Sequence, residues 1–293
     1  MKIKKAVIPA AGFGTRVLPA TKSMPKEMYP IVDRPAIEYI VREAVESGIT
    51  DILIVTSRGK EVIENHFDKA PELENLLEKK GKLQELGAVK EISELANIYF
   101  VRQKEAKGLG DAVLRAKSFV GGEPFAVLYG DDVMYSAGKP VCRQLTEVYE
   151  EFGLGVVGAK EVLESEISKY GSLKLEKIRG NIFACSDMVE KPPLKDAPSL
   201  YSIFGRCVLP PEIFGILENT PKGVGGEIQL TDAMKVLAKS KGMVAVDFDG
   251  VRYDMGNKLG ILQANIETAL RNNDLKEEFK KYILKTAEKI KGT

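Results

Sequence analysis

The sequence predicts an α/β fold, with a mixed and mostly parallel central sheet and a smaller α+β lobe, on three observations. Short β-rich apolar runs alternate with helical periodicity through the first half, which is the pattern of crossover units. A glycine-rich segment follows the first of these runs directly. Three of the runs end on polar residues, and in open α/β sheets ligands gather outside the carboxyl ends of strands.

Lys5 to Pro9 predicts the first strand. The lysines near Met1 resemble the start of a secretory leader, but the apolar stretch after them is short and is broken by Pro9 and Gly12. Pro35 to Gly48 predicts a helix, with proline in its first turn, glycine at its end, and Ile37, Ile40, Val41, Ala44 and Val45 as its buried stripe. Strands follow at Asp51 to Thr56 and Asn97 to Val101, then a helix at Gly110 to Phe119. A fourth strand, Pro124 to Tyr129, runs into Gly130, Asp131 and Asp132. The charged, leucine-spaced stretch Pro71 to Leu95 predicts a helical excursion between the second and third strands.

Beyond Gly153 the order is less regular. Strand-like runs at Gly155 to Val162, Gly171 to Leu175, Ile182 to Val189 and Ser202 to Val208 are joined by glycine and proline turns. Helices are expected at Gln229 to Lys239, Lys258 to Asn272 and Leu275 to Ile290. No repeat or linker divides the chain, so residues 1–293 are expected to form one domain, with lobes over about 1–135 and 136–293.

Composition excludes several function classes. Lys plus Arg (43) nearly balances Asp plus Glu (42), leaving no global field to attract nucleic acid or an anionic membrane. No apolar run approaches the roughly 20 residues needed to span a bilayer, and a cytoplasmic location is expected. The three cysteines are far apart and His66 is the only histidine, which argues against a disulfide framework, a Cys/His zinc site and histidine-based triads. Unless His66 serves, catalysis must then rest on carboxylates, lysines or a metal.

Ala10-Ala11-Gly12-Phe13-Gly14-Thr15-Arg16 follows the first strand, where backbone N–H groups freed by a tight turn can face phosphate oxygens. The Walker pattern is absent, and Val17 stands where the dinucleotide fingerprint needs its third glycine. From these residues alone the loop is either a phosphate grip or an ordinary turn.

The continuation ATKSMPKEMYPIVDRP adds a resemblance. Ala10 to Pro35, with GxGTR, a downstream Pro25-Lys26 and Asp33-Arg34-Pro35 in order, resembles the signature of the sugar-nucleotide pyrophosphorylases. The wording at Glu64 to Asp68 and Gly256 to Gly260 is similar to the uridylyl-transferring bacterial branch, and the likeness runs from about Lys4 to about Phe279. It implies a Rossmann-like nucleotidyltransferase fold, with a nucleotide-binding first lobe and a sugar-binding second lobe. It also implies UTP and glucose 1-phosphate as substrates, UDP-glucose and pyrophosphate as products, Mg2+ as cofactor, and assembly as a homodimer or homotetramer.

Such a reaction brings about four negative charges on the triphosphate against about two on the sugar phosphate, so cations must screen them. The resemblance assigns Arg16, Lys26 and Lys191 as these catalytic cations. Ala10, Ala11, Gly12, Gly14 and Thr15 would cradle the nucleotide. Glu27 would orient the loop or the nucleotide, or form a plain salt bridge. Gln103 and Gly108 would meet the uracil edge, since an amide can both donate and accept. Gly171, Glu190 and Lys191 would hold the sugar phosphate. Asp131, and with it Asp254, would bind the metal, while Asp132 shapes the turn. Tyr129 departs from the smaller or aliphatic residue of many relatives. The rival readings are a thymidylyltransferase of the same fold, a non-catalytic sugar-nucleotide sensor, and an NAD-dependent enzyme, the last opposed by the missing glycine and by Pro19 and Pro25.

Overall fold

In runs such as Asp51 to Thr56 and Phe125 to Leu128 apolar residues fill successive positions rather than every second one, which suits strands covered on both faces. The computed structural model describes residues 2–291. Its first half contains β1 (Lys5–Pro9), β2 (Pro30–Ile31), β3 (Arg34–Pro35), α1 (Ala36–Glu46), β4 (Asp51–Thr56), α2 (Glu61–Phe67), α3 (Pro71–Lys79), α4 (Leu83–Ser93), β5 (Asn97–Arg102), α5 (Leu109–Leu114), α6 (Lys117–Val120), β6 (Phe125–Leu128) and β7 (Asp132–Tyr135). The second contains α7 (Val141–Phe152), β8 (Gly155–Glu161), β9 (Ser172–Arg179), β10 (Ile182–Val189), β11 (Tyr201–Leu209), α8 (Ile213–Glu218), α9 (Leu230–Lys241), β12 (Met243–Asp247), β13 (Val251–Asp254), α10 (Lys258–Arg271) and α11 (Lys276–Lys291).

One nine-stranded sheet in the order β5-β4-β1-β6-β11-β8-β12-β10-β9 carries most of these strands. The fold is α/β with a mixed sheet, as expected. Its parallel part is the crossover region β5-β4-β1-β6 together with β8–β12; β11 and β10 run antiparallel to their neighbours. The second half therefore extends the same sheet instead of building a separate one, and "mostly parallel" holds for the first half of the chain.

Alternation along the central strands sorts side chains to two cores. Ala6 and Ile8 of β1 with Ile52 and Ile54 of β4 face the layer of α1 and α7, whereas Val7, Leu53 and Val55 face α5, α8 and α9. In α1 the stripe Ile37, Ile40, Val41 and Ala44 is fully buried, while Val45 is only partly covered. The helix expected over Gly110 to Phe119 is two short helices, α5 and α6, and the excursion after Pro71 is the pair α3 and α4.

Two charged groups lie inside the first core. Arg206 of β11 donates from Nη2 to Glu43 Oε2 of α1 at 2.6 Å and to the Asp132 carbonyl at 2.8 Å. Cys142 N also donates to Glu43 Oε1, at 2.9 Å, so the pair ties α1, α7, β7 and β11 together. Removing one partner strands a buried charge. Arg206→Met is expected to cost about 3–5 kcal/mol in urea unfolding, and adding Glu43→Leu should restore a large part of it.

Among the described residues no helix is long and apolar enough to cross a membrane. Cys142, Cys185 and Cys207 are free and buried. Burial pushes the thiols of Cys142 and Cys185 up to about 12, so they remain protonated and unreactive. His66 packs on Phe67 and lies 3.0 Å from Glu38, away from the site described next.

Candidate active site

The site is built first from the loop after β1. Ala10 continues the strand, its N–H donating to Val55 O at 2.8 Å, so this amide is engaged and supports the loop instead of facing a phosphate. Lys60, only 6% exposed, donates to the carbonyls of Ala10 (2.5 Å) and Gly12 (2.7 Å) and to Glu27 Oε2 (2.8 Å). In a trans peptide the C=O and the following N–H point opposite ways, so drawing these two carbonyls inward turns the Ala11 and Phe13 amides outward. The Ala11, Gly12 and Gly14 amides have no acceptor among the described residues. Gly14 takes φ 66°, which favours glycine.

Glu27 is 1% exposed and faces Lys60. Burial raises the Glu27 pKa and lowers that of Lys60, each against the pull of the other's charge, so both shift toward neutrality. The position of Glu27 fits the loop-orienting reading and not direct contact with a nucleotide. Lys60 lies outside the sequence expectations, because a lysine between Gly59 and Glu61 reads as solvated. Lys60→Met should release the two carbonyls and raise the KM for the nucleotide about tenfold with a smaller effect on kcat, checked by steady-state kinetics; an unchanged KM would remove the loop-setting role.

Asp131 collects the cations of this loop. Lys26 Nζ lies 2.5 Å from Asp131 Oδ2 and Arg16 Nη2 lies 4.0 Å from the same oxygen. Burial opposes the charge on Lys26, but Asp131 and Glu27 outweigh it and raise its pKa. Burial likewise opposes the Asp131 carboxylate, but Lys26, with Arg252 and Arg16, holds it below the ordinary aspartate value.

Asp254 is distant in sequence and adjacent in space. β13 pairs antiparallel with β7, placing Asp254 opposite Asp132, and Met255 N donates to Asp131 O at 2.8 Å. Arg16 Nη1 reaches Asp254 Oδ2 at 3.6 Å, so one guanidinium spans Asp131 and Asp254. Gly256 lacks the Cβ that would collide with Arg16 and Asp254. Asp132, buried, pairs with Arg252 at 2.6 Å and does more than shape a turn.

Two carboxylates facing one side chain are a donor set suited to Mg2+, which takes one or two protein carboxylates and completes its shell with phosphate and water. Among the described residues there is no cluster of three or more metal-ligating side chains.

The second wall comes from the turns before β9 and after β10. A Cβ on Gly171 would press on Glu190 Oε2 at 3.2 Å, so the bare α-carbon of Gly171 adjoins that carboxylate. Glu190 Oε2 accepts from Thr231 at 2.7 Å. Lys191 follows at φ 45°, an uncommon conformation for a side-chain-bearing residue, and its N–H donates to Tyr170 O at 3.1 Å. Its ammonium is half exposed and lies 3.3 Å from Glu190. Thr15, Arg16, Asp131 and Asp254 line a cleft of about 1690 Å3 together with Lys191 and Tyr129, so the two groups face a common space.

Gln103 and Gly108 form a third group beyond that lining. Gln103 Nε2 donates to Gly108 O at 3.1 Å and to Asp111 Oδ2 at 2.8 Å. Both partners are acceptors, which assigns the amide orientation and leaves only Oε1 to meet a ligand. The amide can therefore accept but not donate, a narrower role than its residue type allows. Gly108, at φ 99°, leaves no room for a Cβ against Glu227 and Ile228, and Glu227 borders the cleft.

Residues 5–270 match the family model described as Nucleotidyl transferase. The chain is 50% identical over 282 residues to a UTP–glucose-1-phosphate uridylyltransferase of Bacillus subtilis, covering 96% of this chain and 95% of that protein. It is also similar to the UTP-bound UGPase of Acinetobacter baumannii, at 43% identity and TM-score 0.90, covering 96% of this chain and 99% of that one. A UDP-glucose pyrophosphorylase complexed with UDP-glucose matches at 42% identity and TM-score 0.84, over 92% and 100% of the two chains.

Proposed function

From the premise that the chain belongs to the nucleotidyl transferase family, we propose that it transfers UMP from UTP to glucose 1-phosphate, giving UDP-glucose and pyrophosphate. The observation that carries the reading is the convergence of Arg16 and Lys26 on Asp131, in a cleft that Lys191 also lines.

An oxygen of the sugar phosphate attacks the α-phosphorus of UTP. The new P–O bond forms as the bond from the α-phosphorus to its bridging oxygen breaks, and the electron pair leaves with pyrophosphate. No protein nucleophile and no demanding proton transfer is needed, so positioning and charge stabilisation supply the catalysis. Arg16 and Lys26 neutralise the departing pyrophosphate, and the outward amides of the loop around Gly12 and Gly14 hold the triphosphate. Lys191 follows the negative charge shared by the sugar phosphate and the α-phosphate, where a fixed cation helps most.

Glu190 accepts from sugar hydroxyls beside Gly171, and Gln103 Oε1 accepts the uracil N3–H next to Gly108. Asp131 and Asp254 are the residues that would hold Mg2+, which supplies positive charge on the triphosphate. Glu27 and Lys60 keep the loop in shape.

We further infer one domain, supported by the single sheet through both halves, of which Met1, Gly292 and Thr293 lie outside the described residues. Cytoplasmic location and a homodimer or homotetramer complete the reading. Leu262, Ile266 and Leu270, exposed at four-residue spacing on α10, support self-association. The deciding assay pairs each nucleoside triphosphate with glucose 1-phosphate. Turnover confined to dTTP would favour thymidylyl transfer, and binding without turnover a sensor.

A further inference from the structure

Each of the three aspartates of the cleft, Asp131, Asp132 and Asp254, already has a cation. Asp131 has Lys26 and Arg16, Asp254 has Arg16 at 3.6 Å and Arg252 at 3.8 Å, and Asp132 has Arg252 at 2.6 Å. Arg16 is exposed enough to follow a phosphate, whereas Arg252 is largely buried and held among carboxylates and rings. Its guanidinium lies over the rings of Phe204 (4.9 Å) and Tyr170 (5.3 Å), and Nη1 donates to Tyr170 Oη at 3.3 Å. Its Nε–H is buried without an acceptor among the described residues, a cost that an arginine serving packing alone would avoid.

The groups around Arg252 are equally constrained. Arg206 holds the Asp132 carbonyl at 2.8 Å, and Gly205 has no Cβ because one would strike the Asp132 carboxylate. Tyr170, over whose ring the guanidinium lies, accepts at its carbonyl the N–H of Lys191. One side chain thus touches the carboxylates of the nucleotide side and the residue that anchors the sugar-side lysine.

We propose that Arg252 is a positioning residue, which fixes the spacing between the Asp131–Asp132 turn and Asp254 and keeps these carboxylates charge-balanced, so that they take a divalent cation poorly unless it arrives with the triphosphate. The proposal rests on the reading of Asp131 and Asp254 as the magnesium site. A cation within 4 Å of two carboxylates opposes a second cation there, so its removal strengthens bare metal binding even as it loosens the geometry that turnover needs.

The test is a titration of the full-length protein with Mn2+ alone, followed by electron paramagnetic resonance of the free ion, beside steady-state kinetics. Arg252→Met is expected to bind Mn2+ at least about tenfold more tightly than the wild type while kcat falls about 100-fold. Arg252→Lys should return Mn2+ affinity to within about threefold of the wild type but keep a raised KM for glucose 1-phosphate, because an ammonium cannot reproduce the planar stack on Tyr170. A merely structural arginine predicts that metal binding and turnover weaken together in Arg252→Met, and that result, or unchanged Mn2+ affinity, overturns the proposal. If Arg252→Met does not fold, as judged by circular dichroism, Arg252→Lys decides alone, and wild-type kinetic constants for it overturn the proposal. The Mn2+ titration needs no substrate, so wild-type protein inactive on UTP and glucose 1-phosphate would sink the functional reading and still leave Arg252 decided.

Discussion

Asp131→Asn is expected to lower magnesium-supported turnover by about 1000-fold or more, equivalent to about 4 kcal/mol of transition-state stabilisation. The change keeps the size of the side chain and leaves the backbone bond from Met255 N to Asp131 O intact, so melting should stay close to the wild type. What it removes is the negative oxygen on which Lys26 and Arg16 converge. Lys26 would then lose the partner that raises its pKa against burial, and the cleft would lose one of its two candidate metal ligands. The check is a magnesium titration of initial rate for both proteins. A variant with a wild-type magnesium response would remove Asp131 from the metal site.

Lys191→Ala should lower kcat by about 100- to 1000-fold while UTP affinity changes by no more than a few fold, a loss confined to the transition state. Among the described residues the side chain makes one ion pair, with neighbouring Glu190, and it is half exposed, so its removal opens no cavity in either core. Its backbone is held at φ 45° by the bond to Tyr170 whichever side chain is present. Single-turnover rates and calorimetric UTP binding separate the two effects. Equal losses in binding and turnover would make Lys191 a general anion contact and not a transition-state cation.

The framework was legible in the sequence where local signals were strong. Lys5–Pro9 and Asp51–Thr56 fold as strands over the expected residues, because short apolar runs rich in Val and Ile and bounded by turn residues carry their own assignment. The helix α7 over Val141–Phe152 was open to the same reasoning, since Pro140 precedes it and Gly153, in the left-handed region, ends it.

The ribbon β7–β13 was not legible. DVMY and VRYD are each four residues of mixed polarity, and they pair across more than one hundred residues of chain. That pairing is what brings Asp254 to Asp131, so its place in the site came from resemblance and not from any local pattern. Lys60, Arg206 and Arg252 were hidden for a related reason. A charge in a sequence reads as solvated, and only tertiary structure supplies the buried carboxylates Glu27, Glu43 and Asp132 that hold them. In Gln103 the residue type was informative, but its donors turned out to be occupied by Gly108 and Asp111.

Pyrophosphate release by the purified protein, followed with UTP and glucose 1-phosphate in the presence and absence of magnesium, decides whether the cleft carries out uridylyl transfer. Rapid release that requires both substrates and the metal is expected, with UTP preferred over the other nucleoside triphosphates. No release with UTP and glucose 1-phosphate under conditions where the protein is folded and binds UTP would contradict it.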